Sequence, residues 1–317
     1  MYIVTGGAGF IGSNIVAGLN QEGHNHILVV DNLHKGDKFL NLRDLNIADF
    51  MDKNEFRERV RHGYFQDKAI KAIFHQGACS DTMEYDGRYM MDNNFTYSKE
   101  VLQLALDKGV PLIYASSAAV YGASTTFVED PQNEKPLNVY GYSKLLFDRH
   151  VEQLRPQIHS TVVGLRYFNV YGPREQHKGR MASMVYQLYQ QLRSSGVAQL
   201  FAGSGGYGDG EQRRDFISVA DVVRINLSLA RKNNLQAVCN VGTGLSRSFN
   251  DIARHLCHLL GQGSIHYKAM PEGLAKKYQN FTEADVSRLR SLGFAEPFTT
   301  LEEGITSFVA SEQALAA

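Results

Sequence analysis

The chain begins with Tyr2-Ile3-Val4 and runs at once into Thr5-Gly6-Gly7-Ala8-Gly9-Phe10-Ile11-Gly12, an apolar strand pattern delivered through a glycine turn into a helical one. No other stretch constrains the fold as tightly. Gly7, Gly9 and Gly12 fit the spacing G-x-G-x-x-G, and Gly6 adds a further permissive position beside the turn. That spacing lets a strand turn sharply, lets backbone approach a pyrophosphate and packs the helix closely on the strand, with the phosphates at the positive helix end. A second apolar run, Ile27-Leu28-Val29-Val30, ends in Asp31, where a carboxylate can hydrogen-bond a ribose. Strand, glycines, helix, strand and terminal acid in this order predict a dinucleotide-binding unit.

Further on, the apolar runs Ala72-Ile73-Phe74, Leu112-Ile113-Tyr114-Ala115 and Thr161-Val162-Val163-Gly164-Leu165 alternate with helical patterns over Tyr89 to Leu106 and Tyr140 to Leu154. Alternation of this kind predicts an α/β fold with a Rossmann-type, doubly wound parallel sheet. The pattern changes after Tyr167, where Asn169-Val170-Tyr171-Gly172-Pro173 reads as a turn before a polar loop with His177, Lys178 and Arg180. We assign 1–167, with about 214–238 returning to it, to the dinucleotide-binding domain. Residues 168–213 and 239–317 are assigned to a smaller mixed α/β substrate-binding domain. The run Ser204-Gly205-Gly206-Tyr207-Gly208-Asp209-Gly210 reads as a mobile loop, either connector or lid.

Charge and cysteine usage narrow the partners. Lysines and arginines number 33 against 33 acidic residues, so no basic excess argues for nucleic acid. No apolar run is long enough to span a bilayer, and the N-terminus reads as strand rather than signal peptide. Cys79, Cys239 and Cys257 lack C-x-x-C spacing and are expected to be reduced thiols of a cytoplasmic protein. His24 with His26, and His255 with His258, have no accompanying acid or cysteine cluster, so no metal is expected.

Tyr140 and Lys144 stand four residues apart on a predicted helix, which puts a phenol and an ammonium on one face. A nearby cation favours the phenolate, so a group that ordinarily titrates near ~10 becomes a usable base toward an alcohol. Taken alone, the spacing fits a helix-surface pair better. It gains meaning beside a dinucleotide site.

These stretches, with Tyr114-Ala115-Ser116-Ser117-Ala118-Ala119-Val120-Tyr121-Gly122, Arg166-Tyr167-Phe168-Asn169-Val170-Tyr171-Gly172-Pro173 and Arg214-Asp215-Phe216-Ile217, resemble the extended short-chain dehydrogenase/reductase superfamily of nucleotide-sugar enzymes over nearly the whole chain. The resemblance implies a catalytic trio of Ser117, Tyr140 and Lys144. Within the superfamily, His75-Gln76-Gly77-Ala78-Cys79-Ser80, Tyr89-Met90-Met91-Asp92-Asn93-Asn94 and Pro173-Arg174-Glu175-Gln176-His177-Lys178-Gly179 are similar to the ADP-heptose 6-epimerase family. That similarity implies inversion of a heptose at C6″ for the lipopolysaccharide core, a second acid/base at Lys178, tightly bound NADP and a cytoplasmic homopentamer.

The implied cofactor contacts are Gly6, Gly7, Gly9, Phe10, Ile11, Gly12, Asp31, Asn32, Lys38, Lys53, Gln76, Gly77, Ala78, Cys79, Ser80, Asn93, Lys144, Val170 and Lys178. Asp31 by itself favours NAD, because its charge would repel a 2′-phosphate, whereas the resembled family prefers NADP. Implied substrate contacts are Ser117, Asn169, Arg180, Gln187, Phe201, Ala202, Gly203, Ser204, Arg214 and Tyr278, Arg214 being suited to a diphosphate. Arg180 stands where the family carries serine, Gln187 where it carries histidine and Gln76 where it carries glutamate, and the loop after Ser204 is longer.

Nicotinamide-dependent epimerisation oxidises a carbinol, presents the ketone's other face and returns the hydride. Tyr140 serves the first proton transfer; an oxygen swung to a new position calls for a second group, which Lys178 supplies only if its pKa is depressed, and Arg174 and Arg180 lie near enough in sequence to contribute. Three alternatives stand beside this reading. A 4,6-dehydratase would carry Asp-Glu where Ala118-Ala119 stands, a 4-epimerase lacks the His177-Lys178 pattern, and a non-catalytic sensor would have lost Tyr140 or Lys144.

Overall fold

The computed structural model describes residues 1–271 and 278–316. Residues 272–277 and 317, part of the span assigned to substrate binding, lie outside the described residues. In chain order the strands are β1 (Tyr2–Thr5), β2 (Ile27–Asp31), β3 (Asp49–Asp52), β4 (Ala72–His75), β5 (Leu112–Ser117), β6 (Val162–Tyr167), β7 (Asn169–Tyr171), β8 (Val197–Phe201), β9 (Arg213–Ser218), β10 (Gln236–Val241), β11 (Ser246–Ser248) and β12 (Ser264–Lys268).

Seven of them form a parallel sheet in the order β10-β6-β5-β4-β1-β2-β3. The doubly wound parallel sheet expected from the apolar runs is therefore present. Both faces are buried, as parallel strands require. One face sets Val4, Val29, Phe74, Ile113 and Val163 against Ile15, Val16 and Leu19 of helix Phe10–Gln21 and Val222, Val223 and Ile225 of helix Val219–Ala230. The other sets Ile3, Leu28, Val30, Ile73 and Leu112 against Phe56, Val101, Leu102, Phe147 and Val151. The chain thus returns to the first unit through helix Val219–Ala230 and β10.

Strand order reverses between β1 and β4, so their carboxyl ends open a crevice of the kind that takes ligands in open α/β sheets. His75 closes the bottom of this crevice, its Nδ1 2.6 Å from Thr5 Oγ1 and its Nε2 2.9 Å from Ser98 Oγ. Beside it, the segment read as one helix is interrupted: Gly87–Met90 passes through a π-helical turn at Met91–Thr96 before Tyr97–Lys108. A turn bonded i to i+5 leaves no mark on a 3.6-residue period, which is why periodicity missed it.

The remaining residues build a smaller layer over the carboxyl ends. It holds a three-stranded sheet β11-β9-β7 and a two-stranded sheet β12-β8, packed on helices Met184–Ser195, Phe249–Leu260 and Leu301–Ala316. The glycine-rich run is not a free strap. Gly203 N donates to Asp209 Oδ1 at 2.7 Å, Gly210 N to Phe201 O at 2.9 Å, and Ser204 Oγ meets Asn280 Oδ1 at 2.7 Å. Among the described residues no helix is long and apolar enough to cross a membrane.

Burial lowers the pKa of His75 from 6.5 to about 3, with Lys144 adding to the effect. The folded chain therefore binds this proton more weakly than the unfolded chain, and the stability tied to neutral His75 is present above 6.5 and is lost as pH falls toward about 3. Urea unfolding followed across that range is expected to show stability declining with acidification, and His75→Gln is expected to flatten part of the decline; an unchanged slope would exclude His75 as a source.

Candidate active site

The glycine turn is shaped by packing on β4's exit. Gly6 is the left-handed residue, at φ 65°, and a Cβ there would lie 2.7 Å from Gly77 N. The position read as permissive is thus one the turn cannot change, and Gly12 is another, since a Cβ there would strike Gly6 O. Helix Phe10–Gln21 has Gly9 as N-cap with no side-chain cap, so its first amides remain available to an anion. Asp31 closes the turn: its Oδ2 accepts from Ala8 N at 3.1 Å and its Oδ1 from Lys38 Nζ at 2.8 Å. Tight turn, uncapped helix end and acid at the next strand form a cradle that fits a dinucleotide.

Other expected cofactor residues gather around this cradle. Gly77 N donates to Thr5 Oγ1, Gln76 lies between Asn226 and Tyr167, and Lys53 Nζ donates to Asn93 Oδ1 at 2.7 Å. Burial lowers the Lys53 pKa, and Arg57 lowers it further. Asn94, the next residue of the π turn, accepts from Cys79 N, donates to Cys79 O and donates to Ser143 Oγ at 3.1 Å. One amide therefore ties the Gln76–Ser80 loop to the helix bearing Tyr140.

That helix, Val139–Leu154, starts where Asn138 Oδ1 accepts from Gly141 N at 2.8 Å. Gly141 lies on the 118–120 turn, and a Cβ at this position would sit 2.6 Å from Ala119 O. This approach brings the Tyr140 phenol to the Ser117 hydroxyl. Burial raises the Tyr140 pKa and Ser117 opposes the rise. The lowering of the Tyr140 pKa expected of Lys144 from the spacing does not appear. Lys144 Nζ donates to Ala115 O at 2.9 Å, and burial lowers its own pKa to about 8 against the pull of Asp148. Desolvation outweighs the expected ammonium effect on the phenol because both groups sit in a dry corner between helix and β5.

The Lys178 loop reaches over from the smaller layer. Lys178 Nζ lies 5.1 Å from the centroid of the Phe10 ring, and burial lowers its pKa while Glu175 opposes. The depression has the required sign but not the expected arginine source. Arg174 turns to Asn41 O and Asp44, and Arg180 pairs with Asp81 at 3.1 Å on the rim. Asn41 holds the loop down by donating to Ala8 O and Arg174 O, while Lys35 Nζ donates to His177 O. His177 is driven to about 4 by burial, then by Lys38 and Lys178.

A second cluster unites most of the expected substrate residues. The Arg214 guanidinium lies 5.1 Å from the Tyr278 ring centroid and 5.7 Å from that of Phe249, and the Phe201 and Tyr278 rings are 6.0 Å apart. Ser204 joins through Asn280, and Gln212 Nε2 donates to Ala202 O. Gln279 Nε2 donates to Gly122 O, linking this cluster to the turn beyond Ser117. Asn169 is exposed at the start of β7, whereas Gln187 Nε2 is spent on the carbonyls of Arg180 and Ala182.

Two residue sets went unrecognised in the sequence. Asp148 accepts from Tyr114 Oη, Ser116 Oγ and Arg166 Nε, and Arg166 Nη2 donates to Glu134 Oε1 at 2.6 Å. Glu175 accepts from Ser183 N at 2.6 Å and Ser183 Oγ at 2.7 Å. Asp148 falls one turn after Lys144 and could have been noticed; Glu175 stood inside the 173–179 stretch with no role assigned to it.

A Rossmann-type sheet with a dinucleotide cradle, a Ser-Tyr-Lys corner and a second layer over the carboxyl ends defines the extended short-chain dehydrogenase/reductase fold. Residues 2–242 match the NAD dependent epimerase/dehydratase family, and the chain belongs to that family. It is similar to ADP-L-glycero-D-manno-heptose-6-epimerase of Helicobacter pylori, at 33% identity and TM-score 0.84 over 99% of this chain and 96% of that one. It is similar also to UDP-glucose 4-epimerase of Thermotoga maritima, solved with UDP-glucose, at 29% identity and TM-score 0.82 over 100% and 99%. UDP-glucose 4-epimerase of Thermus thermophilus, complexed with NAD, matches at 26% identity and TM-score 0.81 over 98% of each chain.

Gly141→Ala is expected to push the helix off Ala119 O and displace Tyr140 from Ser117. Turnover should fall by about a hundredfold while bound cofactor is retained, as for ångström-scale misplacement of a reacting group. Steady-state rates with cofactor content checked by absorbance test this; wild-type turnover would show the close approach to be dispensable.

Proposed function

We propose that the protein converts ADP-D-glycero-β-D-manno-heptose to its L-glycero epimer by transient oxidation and re-reduction at C6″, holding NADP throughout. The observation that carries this reading is Lys178, a second proton-handling group with a lowered pKa, seated over Phe10 of the glycine turn. Epimerisation outside a sugar ring needs such a group. Rotation about one bond presents the ketone's other face and carries its oxygen away from the first base.

In the proposed reaction Tyr140, once its own proton has left against the raised pKa that burial gives it, takes the C6″ hydroxyl proton while Ser117 hydrogen-bonds the reacting oxygen. Bound nicotinamide supplies a reversible hydride acceptor at this corner. After rotation the Lys178 ammonium would give its proton to the oxygen, the same carbon now presenting its opposite face to the bound nicotinamide. No net oxidation results, and the proton moved from Lys178 to Tyr140 is re-equilibrated through solvent. Arg214, buried and with its pKa lowered by that burial, stands between Phe249 and Tyr278 as the proposed partner of the diphosphate. Asn169, Phe201, Ala202, Gly203, Ser204 and Tyr278 are proposed to line the rest of the substrate's path.

NADP is favoured over NAD because Asp31, the group that would repel a 2′-phosphate, is already answered by Lys38 Nζ at 2.8 Å. Lys53 is a second cation, close enough to feel the charge of Asp31. By the family resemblance we propose a cytoplasmic homopentamer supplying heptose to the lipopolysaccharide core. A 4,6-dehydratase is disfavoured by the methyl groups of Ala118 and Ala119 after Ser117, which cannot move a proton.

The test incubates the protein with ADP-D-glycero-β-D-manno-heptose and no added cofactor. Proton NMR is expected to show the L-glycero epimer, and cofactor released by denaturation should have the mass of NADP. Tyr140→Phe and Lys178→Met should each retain cofactor and lose at least about a hundredfold in rate. Conversion of UDP-galactose with none of the heptose would replace this reading by a 4-epimerase.

A further inference from the structure

Glu175 is fully buried, and its fixed neighbours define its task. Its Oε1 accepts from Ser183 Oγ at 2.7 Å and from Gly172 N at 3.4 Å, and its Oε2 accepts from Ser183 N at 2.6 Å. Gly172 and Ser183 are the two ends of the loop in which Lys178 lies. The carboxylate therefore closes that loop into a ring, and Lys178 N donates to Glu175 O at 3.0 Å inside it. The same Ser183 Oγ accepts from Tyr186 N, so the clasp also starts helix Met184–Ser195. Acceptance from three donors is what a buried carboxylate needs to stay charged.

We propose that Glu175 is a positioning residue for Lys178, clasping both ends of the loop that carries it and setting a fixed negative charge within that loop. This rests on the reading of Lys178 as second acid/base. The titratable groups that face the pair come from three elements. Lys178 and His177 lie on the loop itself, Tyr186 on helix Met184–Ser195, and Glu312 on helix Leu301–Ala316. Burial works against charge on Lys178, and Glu175 is the group that opposes it. Its own pKa is raised by burial, with Ser183 and Lys178 resisting. A purely structural clasp would need only hydrogen-bond acceptors. A charge-setting clasp would also place the pH at which Lys178 gives up its proton.

Glu175→Gln removes the charge and keeps one of the two acceptor oxygens, so Ser183 Oγ and Gly172 N stay answered while Ser183 N loses its partner, and Glu175→Asp, which keeps both charge and acceptors, is the control. Lys178 is titrated directly by amine acylation of the holoenzyme across pH, read on its peptide by mass spectrometry, beside the pH profile of heptose epimerisation. The midpoint of Lys178 reactivity is expected to fall by about one pH unit, the size of effect an opposite charge within a few ångströms exerts, and the rate profile to move with it. A midpoint that moves while the rate profile stays supports the Glu175 inference and rejects Lys178 as acid/base. An unmoved midpoint in folded, cofactor-bound Glu175→Gln overturns the inference. If that variant does not fold, Glu175→Asp decides: the shorter acid keeps the charge and should hold the wild-type midpoint, and a fall of a full unit would overturn the proposal.

Discussion

The corner formed by Ser117, Tyr140 and Lys144 depends on one dry carboxylate. Asp148 grips β5 at Tyr114 and Ser116 and, through Nε of Arg166, β6 beside it, which locks helix Val139–Leu154 in register against the strand. Residues alternate along a strand, so the gripped pair frames Ala115, whose carbonyl holds Lys144, and precedes Ser117, which meets Tyr140. A slip of one residue would break both contacts. Arg166 continues the network to Glu134 and to Tyr121, whose hydroxyl donates to Asn240 at 2.6 Å. Such a network is costly if any member is left without a partner, and here every carboxylate oxygen of Asp148 is answered.

Against this rigid corner the second layer brings adjustable parts. Asn41 pins the Lys178 loop to the glycine turn from below, and the exposed Arg180–Asp81 pair joins it to the Gln76–Asp81 segment at the rim. An exposed pair of this kind contributes little to stability, so the rim can open at small cost while the floor stays fixed. In the proposed reaction this division suits a ketone that must turn between two proton-handling groups without escaping.

The sheet was legible because parallel strands, buried on both faces, leave nearly continuous apolar runs in the sequence. Asn169-Val170-Tyr171 and Ser246-Arg247-Ser248 left no such run, and these short strands are set by pairing with β9 rather than by their own composition. The glycine spacing predicted the cradle, yet the left-handed residue proved to be Gly6, since what decides it is contact with Gly77, 71 positions along the chain. Tyr140 and Lys144 could be picked out by spacing. The sign of the Tyr140 shift could not, because spacing reports which groups are near and says nothing of how dry their surroundings are. Glu175 was illegible for the same reason: a glutamate in a polar loop reads as solvated, and only the fold shows it enclosed.

In the proposed reaction the inverted carbon gives up a hydride and receives the same one back, with protons handled by Tyr140 and Lys178. This is tested most directly by turning over ADP-D-glycero-β-D-manno-heptose carrying deuterium on C6″ in ordinary water and following the product by NMR and mass. The account predicts an L-glycero epimer that retains its deuterium at C6″. Loss of the label to solvent during inversion would contradict it and would mean that the carbon is inverted by removal and return of a proton.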